Sequence, residues 1–324
     1  MKRLYNFDIL KMVCAILIVF LHVYTPYQEY ILPLTRCAVP CFLIISGFLI
    51  YSDNITKLEE RLKRGIKRII SIFIWSTAVF MIVKFIFAIH NNDFSFLSFR
   101  TLLNFVLFNV NPFGFHLWYL GAYLYTLIIV LVFCKKNKMK YLYCIVPLLL
   151  LLDLCFGKYS IVLWHREFPY ILTRNFLCVG IPYFCIGMYL SKKKDCLSRI
   201  NNLRFLTLGG IVLFSLFSVV ENRILINVGM NATRDQYIST TFLAISLFLL
   251  FYTFKKETPN LFSRLGEKDS LYIYIFHPLL IYFFSIVNNF LPEFWQSIYL
   301  YTSPIMIIIT TILFCITLRK IHII

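Results

Sequence analysis

Long apolar stretches separated by short polar connections constrain the fold of this chain more than any other feature. A helix that crosses a bilayer needs about 20 mostly apolar residues, and its backbone satisfies its own hydrogen bonds. Composition agrees with spanning helices, since 60% of the residues are apolar and only 15% are charged, which excludes an ordinary soluble domain. The sequence predicts an all-α, polytopic membrane protein with about ten transmembrane helices, at residues 8–25, 34–51, 69–90, 117–134, 141–156, 173–191, 205–221, 237–254, 271–289 and 297–318.

The distribution of lysine and arginine predicts how these helices are oriented. These residues collect on cytoplasmic connections when a chain follows the positive-inside rule. With the N-terminus inside, 23 of the 32 Lys and Arg lie in inner segments, five lie in outer connections and four lie within the spans. A single miscounted span would reverse the side of every later connection. We therefore expect both termini to be cytoplasmic and the net charge of +17 to be mainly a topology signal, with no nucleic-acid partner.

The domain organisation is expected to be simple. No soluble domain, linker or tandem repeat interrupts the pattern, so residues 1–324 are expected to form a single membrane-embedded domain. The 10 cysteines lack the paired spacing of a zinc site, and no metal is expected. One predicted outer connection, 91–116, is unusually long and contains its own apolar run, which suits a segment in the membrane interface or a re-entrant one.

Two ionisable residues of the first span are candidates for function, because such groups are costly to place in hydrocarbon. Lys11 and His22 are 11 residues apart. This is close to three helical turns, so the two share one helix face about 16 Å apart along the axis. That arrangement suits a long anionic donor, held by Lys11 at its charged end and delivered to His22 at its reactive end. The alternative is structural: Lys11 extends to the lipid headgroups and His22 is a hydrogen-bonded packing residue.

A basic run precedes the third span, and helical spacing puts Arg64 and Arg68 on one face. A guanidinium group binds phosphate with two hydrogen bonds at once. Basic clusters beside a membrane also contact anionic lipid and set orientation. Both interpretations of this cluster stay open.

Six motifs carry a family resemblance. In chain order they are Asp8-x-x-Lys11-x(10)-His22, Arg36-Cys-Ala-Val-Pro40-Cys-Phe-Leu-Ile-Ile-Ser46-Gly47-Phe, a basic stretch ending Lys67-Arg68-Ile, His116-Leu-Trp118-Tyr-Leu, Phe184-Cys-Ile-Gly187-Met, and Ser270-Leu-Tyr-Ile-Tyr-Ile-Phe-His277-Pro278. From residue 3 to about 318 the sequence resembles the acyltransferase-3 family of integral membrane acyltransferases. The resemblance implies a ten-span bundle that transfers an acyl group, usually acetyl, from cytosolic acyl-coenzyme A to a hydroxyl on a sugar, lipid-linked glycan or peptidoglycan unit outside.

The resemblance also implies roles for single residues. His22 matches the essential histidine of the family and Lys11 matches its basic partner, which is commonly arginine. Lysine keeps the charge but loses the bidentate geometry. We expect His22 to act either as a general base on the acceptor hydroxyl or as a transient acyl carrier, with Arg36 stabilising oxyanion charge. The alternative for Arg36 is contact with outer headgroups.

Donor binding is expected to involve acetyl-coenzyme A, or another acyl-coenzyme A, as co-substrate. The Arg-x-x-Arg pair of the family is imperfect here, because Gly65 stands three residues before Arg68. Arg64, or the pair Arg61-x-x-Arg64, must substitute. His277 is expected either to contact the coenzyme or to form a structural contact at the kink before Pro278.

His116 and Glu167 are the residues predicted to bind the acceptor, since both fall near the predicted outer face. The alternative for His116 is an interfacial aromatic anchor formed with its neighbours. An acid from another span must orient the His22 imidazole. The candidates are Glu167, Asp153 and Glu221.

The main competing function is a polysaccharide exporter or secondary transporter that uses buried His and Arg residues. A carrier has no need of a coenzyme phosphate site at Lys11, Arg64 and Arg68. A membrane sensor or scaffold is a third possibility, and it would tolerate loss of His22. For the enzyme, the resemblance implies a bacterial cytoplasmic membrane, with acyl-coenzyme A, a glycan or lipid-linked glycan acceptor and membrane lipids as partners.

Overall fold

The computed structural model of the protein describes residues 4–254 and 258–324, and all regular secondary structure in those two ranges is helical. Four of the cations assigned above to inner segments lie outside the described residues, namely Lys2, Arg3, Lys255 and Lys256. The α-helices of the described ranges are α1 Tyr5–His22, α2 Gln28–Thr35, α3 Ala38–Ile50, α4 Ile55–Asn91, α5 Phe99–Phe108, α6 Trp118–Lys135, α7 Met139–Phe156, α8 Ser160–Trp164, α9 Ile181–Lys192, α10 Lys194–Ser198, α11 Leu203–Asn227, α12 Ile238–Thr253, α13 Leu261–Lys268, α14 Ser270–Asn289 and α15 Glu293–Lys320. Short 3₁₀ turns occur at Ser95–Leu97, Phe115–Leu117 and Tyr170–Leu172, and a π-helix at Phe176–Gly180 leads into α9.

Eight helical stretches within the described ranges are long and apolar enough to cross a membrane, which confirms the predicted all-helical, multi-pass membrane architecture. They are Tyr5–His22, Gln28–Ile50, Ile55–Ile89, Phe115–Lys135, Met139–Phe156, Leu203–Asn227, Ser270–Asn289 and Glu293–Lys320. The predicted spans 173–191 and 237–254 correspond to shorter apolar helices, Phe176–Lys192 and Ile238–Thr253. A helix of 16 residues, such as α12, extends only about 24 Å against a hydrocarbon core of about 30 Å. The count of ten spans therefore stays a prediction.

The chain divides into two compact units. The first unit comprises Met1–Phe42, Asn201–Gly229 and Tyr237–Ile324. Its centre is α1, which packs against α2, α12, α13, α14 and α15. A Cβ at Gly266 of α13 would collide with the backbone carbonyl of Asp8, so α13 lies directly on the start of α1.

The second unit comprises Leu43–Ile200 and Met230–Gln236. In it α4 packs against α6, and α7 packs against α9. Two glycines from separate motifs meet where the end of α3 crosses α9. A Cβ at Gly47 would collide with the carbonyl oxygen of Phe184, and a Cβ at Gly187 would collide with that of Ile44. Small residues allow such close backbone approach between membrane helices, and this explains both glycines of the motifs.

The long connection 91–116 contains α5, in which no residue is buried. Phe99, Val106 and Leu107 of this helix are exposed. Such an exposed apolar helix is typical of a segment that lies along a membrane interface.

Candidate functional site

His22 is the last residue of α1, and its side chain is exposed. The helix ends there because Val23 adopts an extended conformation, although its N–H still donates to the carbonyl of Val19. The imidazole is therefore presented at a helix end, where ligands can reach it. Accessibility of this kind is what a general base or an acyl carrier requires.

The neighbour of His22 is a second histidine, His277 of α14. The two ring centroids are 5.1 Å apart, and the ring planes are tilted by 30°. His277 is fully buried, and its Nδ1 lies 3.1 Å from the carbonyl oxygen of Ile273. Because a carbonyl only accepts, Nδ1 carries a proton and donates in this contact. The buried, hydrogen-bonded ring of His277 therefore lies next to the exposed ring of His22.

Lys11 lies on the same continuous helix as His22, in the α1 segment next to α13. Its ammonium group donates to the buried carboxylate of Asp8 at 3.0 Å, one turn earlier. About a quarter of the Lys11 side chain stays exposed. An anionic ligand at Lys11 therefore competes with the Asp8 carboxylate for the ammonium group, or shares the ammonium group with it.

Arg36 occupies the break between α2 and α3 and is half-buried. The helix before it is held to α11 within the first unit: Asn222 donates to the backbone carbonyl of Glu29 at 2.8 Å, and Arg223 pairs with the Glu29 carboxylate. These contacts fix the position at which Arg36 leaves α2.

Glu221, a candidate to orient His22, is engaged at the start of α12. Its carboxylate accepts from the N–H of Ile238 at 2.8 Å and from the hydroxyl of Ser239 at 2.8 Å. A negative charge at a helix N-terminus is favourable, because it faces unpaired N–H groups and the positive end of the helix dipole. These contacts give Glu221 a role in holding α12.

In the second unit, three arginines of α4 have different environments. Arg61 donates to the carbonyl oxygen of Tyr51 at 2.6 Å and also to those of Leu49 and Ile50, so it closes the C-terminus of α3. Arg64 and Arg68 are exposed and four residues apart on the helix. Since Arg61 is committed to α3, the exposed pair Arg64 and Arg68 is better placed for an anion than the pair Arg61 and Arg64.

Ser46, beside the glycine contact described above, hydrogen-bonds with Tyr123 of α6. Arg68 lies within electrostatic reach of the same tyrosine. The structure therefore joins three predicted motifs in one unit: the Ser46-Gly47 block, the basic stretch of α4 and the segment around Gly187. Each motif looks isolated along the chain.

His116 is buried at the 3₁₀ turn before α6, with its ring edge-on to Phe80 at a centroid distance of 4.6 Å. Glu167 lies in the same unit, and its carboxylate accepts from the N–H and the hydroxyl of Thr233 at 2.6 and 3.0 Å. Partial burial raises the pKa of Glu167, but the Thr233 hydrogen bonds and the charges of Arg234 and Lys158 outweigh it, so the pKa is below its ordinary value. Glu167 thus holds the segment Met230–Gln236.

An ion pair that the sequence analysis did not identify also anchors this segment. Arg174 donates to both carboxylate oxygens of Asp235 at 2.7 Å. Buried Lys158 adds a hydrogen bond to the carbonyl of Ala232 at 2.9 Å. The signal available in the sequence was Arg174, a cation at the start of a predicted span, but its partner lies 61 residues away.

Comparison with known proteins identifies the class to which the chain belongs. Residues 4–319 match the acyltransferase-3 family, described as an acyltransferase domain. The chain belongs to this family, and the resemblance predicted from the six motifs is confirmed.

Two curated relatives carry other names. An "Amino-acid racemase" of Enterococcus faecalis is 23% identical over 319 residues, covering 90% of this chain and 43% of that protein. A "Serine/alanine racemase" of Enterococcus gallinarum is 25% identical over 288 residues, covering 82% of this chain and 38% of that protein. The chain therefore spans about two fifths of the length of these relatives. No solved structure matches.

Proposed function

We propose that the protein is an O-acyltransferase of a bacterial cytoplasmic membrane. It moves an acyl group, acetyl in the simplest case, from cytosolic acyl-coenzyme A to a hydroxyl of an extracytoplasmic or lipid-linked glycan. The observation that carries the proposal is the exposed His22 imidazole against the buried His277 ring, in a chain of the acyltransferase-3 family. Residues 1–324 work as a single functional domain in this proposal.

His22 is proposed as the general base. It takes the proton of the acceptor hydroxyl while the oxygen forms a bond to the thioester carbonyl. The C–S bond then breaks, and the proton passes from the imidazolium to the departing thiolate of coenzyme A. Arg36 is the proposed donor to the developing oxyanion. In the alternative, the imidazole itself carries the acyl group between donor and acceptor.

His277 is proposed to support His22 in this step. A ring fixed by its hydrogen bond to Ile273 limits the orientations of the His22 imidazole that packs against it. Contact with the coenzyme, one of the two roles expected from the sequence, stays the alternative for His277. His277→Gln separates these roles, because loss of orientation lowers kcat, whereas loss of a coenzyme contact raises the KM for the donor.

The donor phosphates are assigned to Lys11, Arg64 and Arg68. For the arginines the support is their exposure and their four-residue spacing on α4. For Lys11 the support is its partial exposure and its ion pair with Asp8, a carboxylate that a phosphate of the donor would replace.

The acceptor side is assigned to His116 and Glu167. The contacts of Glu167 support an indirect role, in which it shapes the acceptor side by holding Met230–Gln236. The names of the curated relatives favour a second acceptor class, because both act on amino acids. Serine, which carries a hydroxyl, and alanine, which lacks one, therefore belong in the acceptor panel.

The test is turnover of radiolabelled acetyl-coenzyme A by the full chain in nanodiscs, with succinyl-coenzyme A as the second donor. We expect slow hydrolysis or transfer in wild type and a loss of about 10²- to 10⁴-fold in His22→Ala, as for removal of a general base. His165→Asn is the matched control, because His165 is an exposed residue directly after α8, has positive φ, and asparagine tolerates that conformation. Folded wild-type protein that neither binds nor consumes either donor would contradict the proposal and favour a transporter.

Donor alone, without acceptor, separates the two roles of His22. A covalent carrier predicts radiolabel on the protein that is absent from His22→Ala. A general base predicts no such label while transfer to an acceptor continues.

A further inference from the structure

A cavity of about 250 Å³ lies within the second unit, where the two connections 91–116 and 157–172 meet. Its walls come from α5, the 3₁₀ turns Phe115–Leu117 and Tyr170–Leu172, and the start of α6. The lining residues are Arg100, Asn104, Val110, Phe115, Trp118, Pro169, Tyr170, Ile171 and Arg174. Its volume is slightly below the range of about 300–1,000 Å³ usual for ligand pockets, which suits one small ring rather than an extended molecule.

The aromatic walls of this cavity are organised around Arg174. The guanidinium carbon lies 4.3 Å from the ring centroid of Tyr170, 4.8 Å from that of Phe115 and 5.7 Å from that of Trp118. The bidentate pair with Asp235 fixes the guanidinium plane. The cavity therefore has a preformed aromatic wall, and more than half of the Phe115 side chain is exposed.

Hydrogen bonds to α6 hold α5, which contributes Arg100 and Asn104 to the cavity. Asn109, which ends α5, donates to the backbone carbonyl of Trp118 at 3.2 Å. Tyr125 of α6 donates to the carbonyl of Val106 at 2.5 Å. These two bonds tie both α5 and its C-terminus to α6, so the cavity keeps its shape without a ligand.

The charge of the cavity is positive. The ion pair with Asp235 neutralises Arg174. The lining residues include no acidic side chain, so the charge of Arg100 is not balanced within the lining. Arg100 is exposed at the cavity, and Asn104 lies one turn further on the same face of α5. Together they offer a guanidinium fork and an amide beside an apolar aromatic surface.

We propose that this cavity is a subsite for a sugar ring that carries an anionic substituent, either a carboxylate or a phosphate. The apolar face of the ring packs on the exposed Phe115, Asn104 bonds a hydroxyl, and Arg100 pairs with the anion. Its assignment as an acceptor subsite rests on the proposed function, whereas binding of the sugar does not. A phospholipid headgroup is the competing source of the anion.

Saturation-transfer NMR on the full chain in phosphatidylcholine nanodiscs tests the proposal. The probes are methyl β-D-glucuronide and methyl β-D-glucoside, which differ in one carboxylate. We expect the glucuronide to bind roughly five- to tenfold more tightly, as for a hydrogen bond to a charged group at a partly exposed site. Arg100→Gln should remove this preference, and Phe115→Ala should weaken both probes equally.

Arg166→Gln is the matched control, because Arg166 is an exposed arginine of the same unit that stacks on Phe168 and does not line the cavity. It should keep the preference. Equal binding of the two probes to wild type, or a preference that survives Arg100→Gln, overturns the proposal. Loss of glucuronide binding in nanodiscs that contain phosphatidylglycerol also overturns the proposal, because the lipid headgroup is then the preferred occupant of the cavity. The NMR assay contains no acyl donor and therefore does not depend on turnover. Sugar binding here, combined with no turnover in the acetyl-coenzyme A assay, would refute the proposed function and leave this subsite standing.

Discussion

Replacing Gly187 by alanine tests the helix crossing that brings the motifs of the second unit together. The new Cβ points at the backbone carbonyl of Ile44, and its nearest atoms are all main-chain atoms of that residue. A backbone carbonyl inside a helix cannot rotate away as a side chain can. The two helices must therefore separate at the point where Gly47 makes the reciprocal contact with α9.

The magnitude follows from two opposing terms. Overpacking costs about 1–3 kcal/mol, and a rigid backbone neighbour places this site at about 3 kcal/mol. Alanine gains about 1 kcal/mol over glycine in a helix interior. The expected net loss is about 2 kcal/mol, or roughly 30-fold in the folding equilibrium.

Equilibrium unfolding by SDS in mixed micelles, followed by tryptophan fluorescence, measures this change. Gly209→Ala is the control, since a Cβ at Gly209 of α11 would have no heavy atom within 4 Å. The control keeps only the helix-propensity term and should be more stable than wild type by up to about 1 kcal/mol. If Gly187→Ala were as stable as Gly209→Ala, the close crossing of α3 and α9 would be refuted.

Three further predictions concern charged side chains. Asp235→Asn should destabilise the protein by about 2–3 kcal/mol in the same assay, because it leaves the largely buried Arg174 without its bidentate partner. In an Arg174→Gln background most of that loss of stability should disappear. A loss that is the same in both backgrounds would contradict the pairing. Because the pKa of Glu167 is lowered in the folded state, its stabilising contribution is present above the unfolded value near 4.5 and is lost as the pH falls through the folded value. The unfolding free energies of wild type and Glu167→Gln should therefore converge in acid, and a difference that grows below pH 4 would contradict this. Asp8→Asn releases Lys11 from its ion pair and should tighten the binding of acetyl-coenzyme A about two- to threefold, as measured by filter binding. Lys11→Gln should weaken the same binding. If both variants bound acetyl-coenzyme A as tightly as wild type, Lys11 would not belong to the donor site.

The helices were predictable from sequence because a membrane span has a fixed length requirement. The stretch 141–156 was predicted as a span despite Pro147, and it is a helix, Met139–Phe156. The helix Ile238–Thr253 agrees with the predicted span 237–254 to one residue at each end. Hydropathy could not show how the preceding segment Met230–Gln236 is held, because its contacts are polar: Glu167 accepts from Thr233, and Arg174 pairs with Asp235.

The candidate site was predictable only within single helices. Helical spacing placed Lys11 and His22 on one helix, and both lie on the continuous α1. Spacing says nothing of which other helix packs beside a residue, so the contact of His22 with His277, 255 positions later, could not be derived. For the same reason a simple count of basic residues could not distinguish Arg61, which caps α3, from the exposed Arg64.

The most direct test of the central claim is single-turnover consumption of radiolabelled acetyl-coenzyme A by purified protein in nanodiscs, comparing wild type with His22→Ala and His165→Asn. We expect turnover by wild type and His165→Asn, and a loss of about 10²-fold or more in His22→Ala with the folded state retained. Equal turnover by His22→Ala and wild type would contradict the assignment of His22 as the group that carries the chemistry.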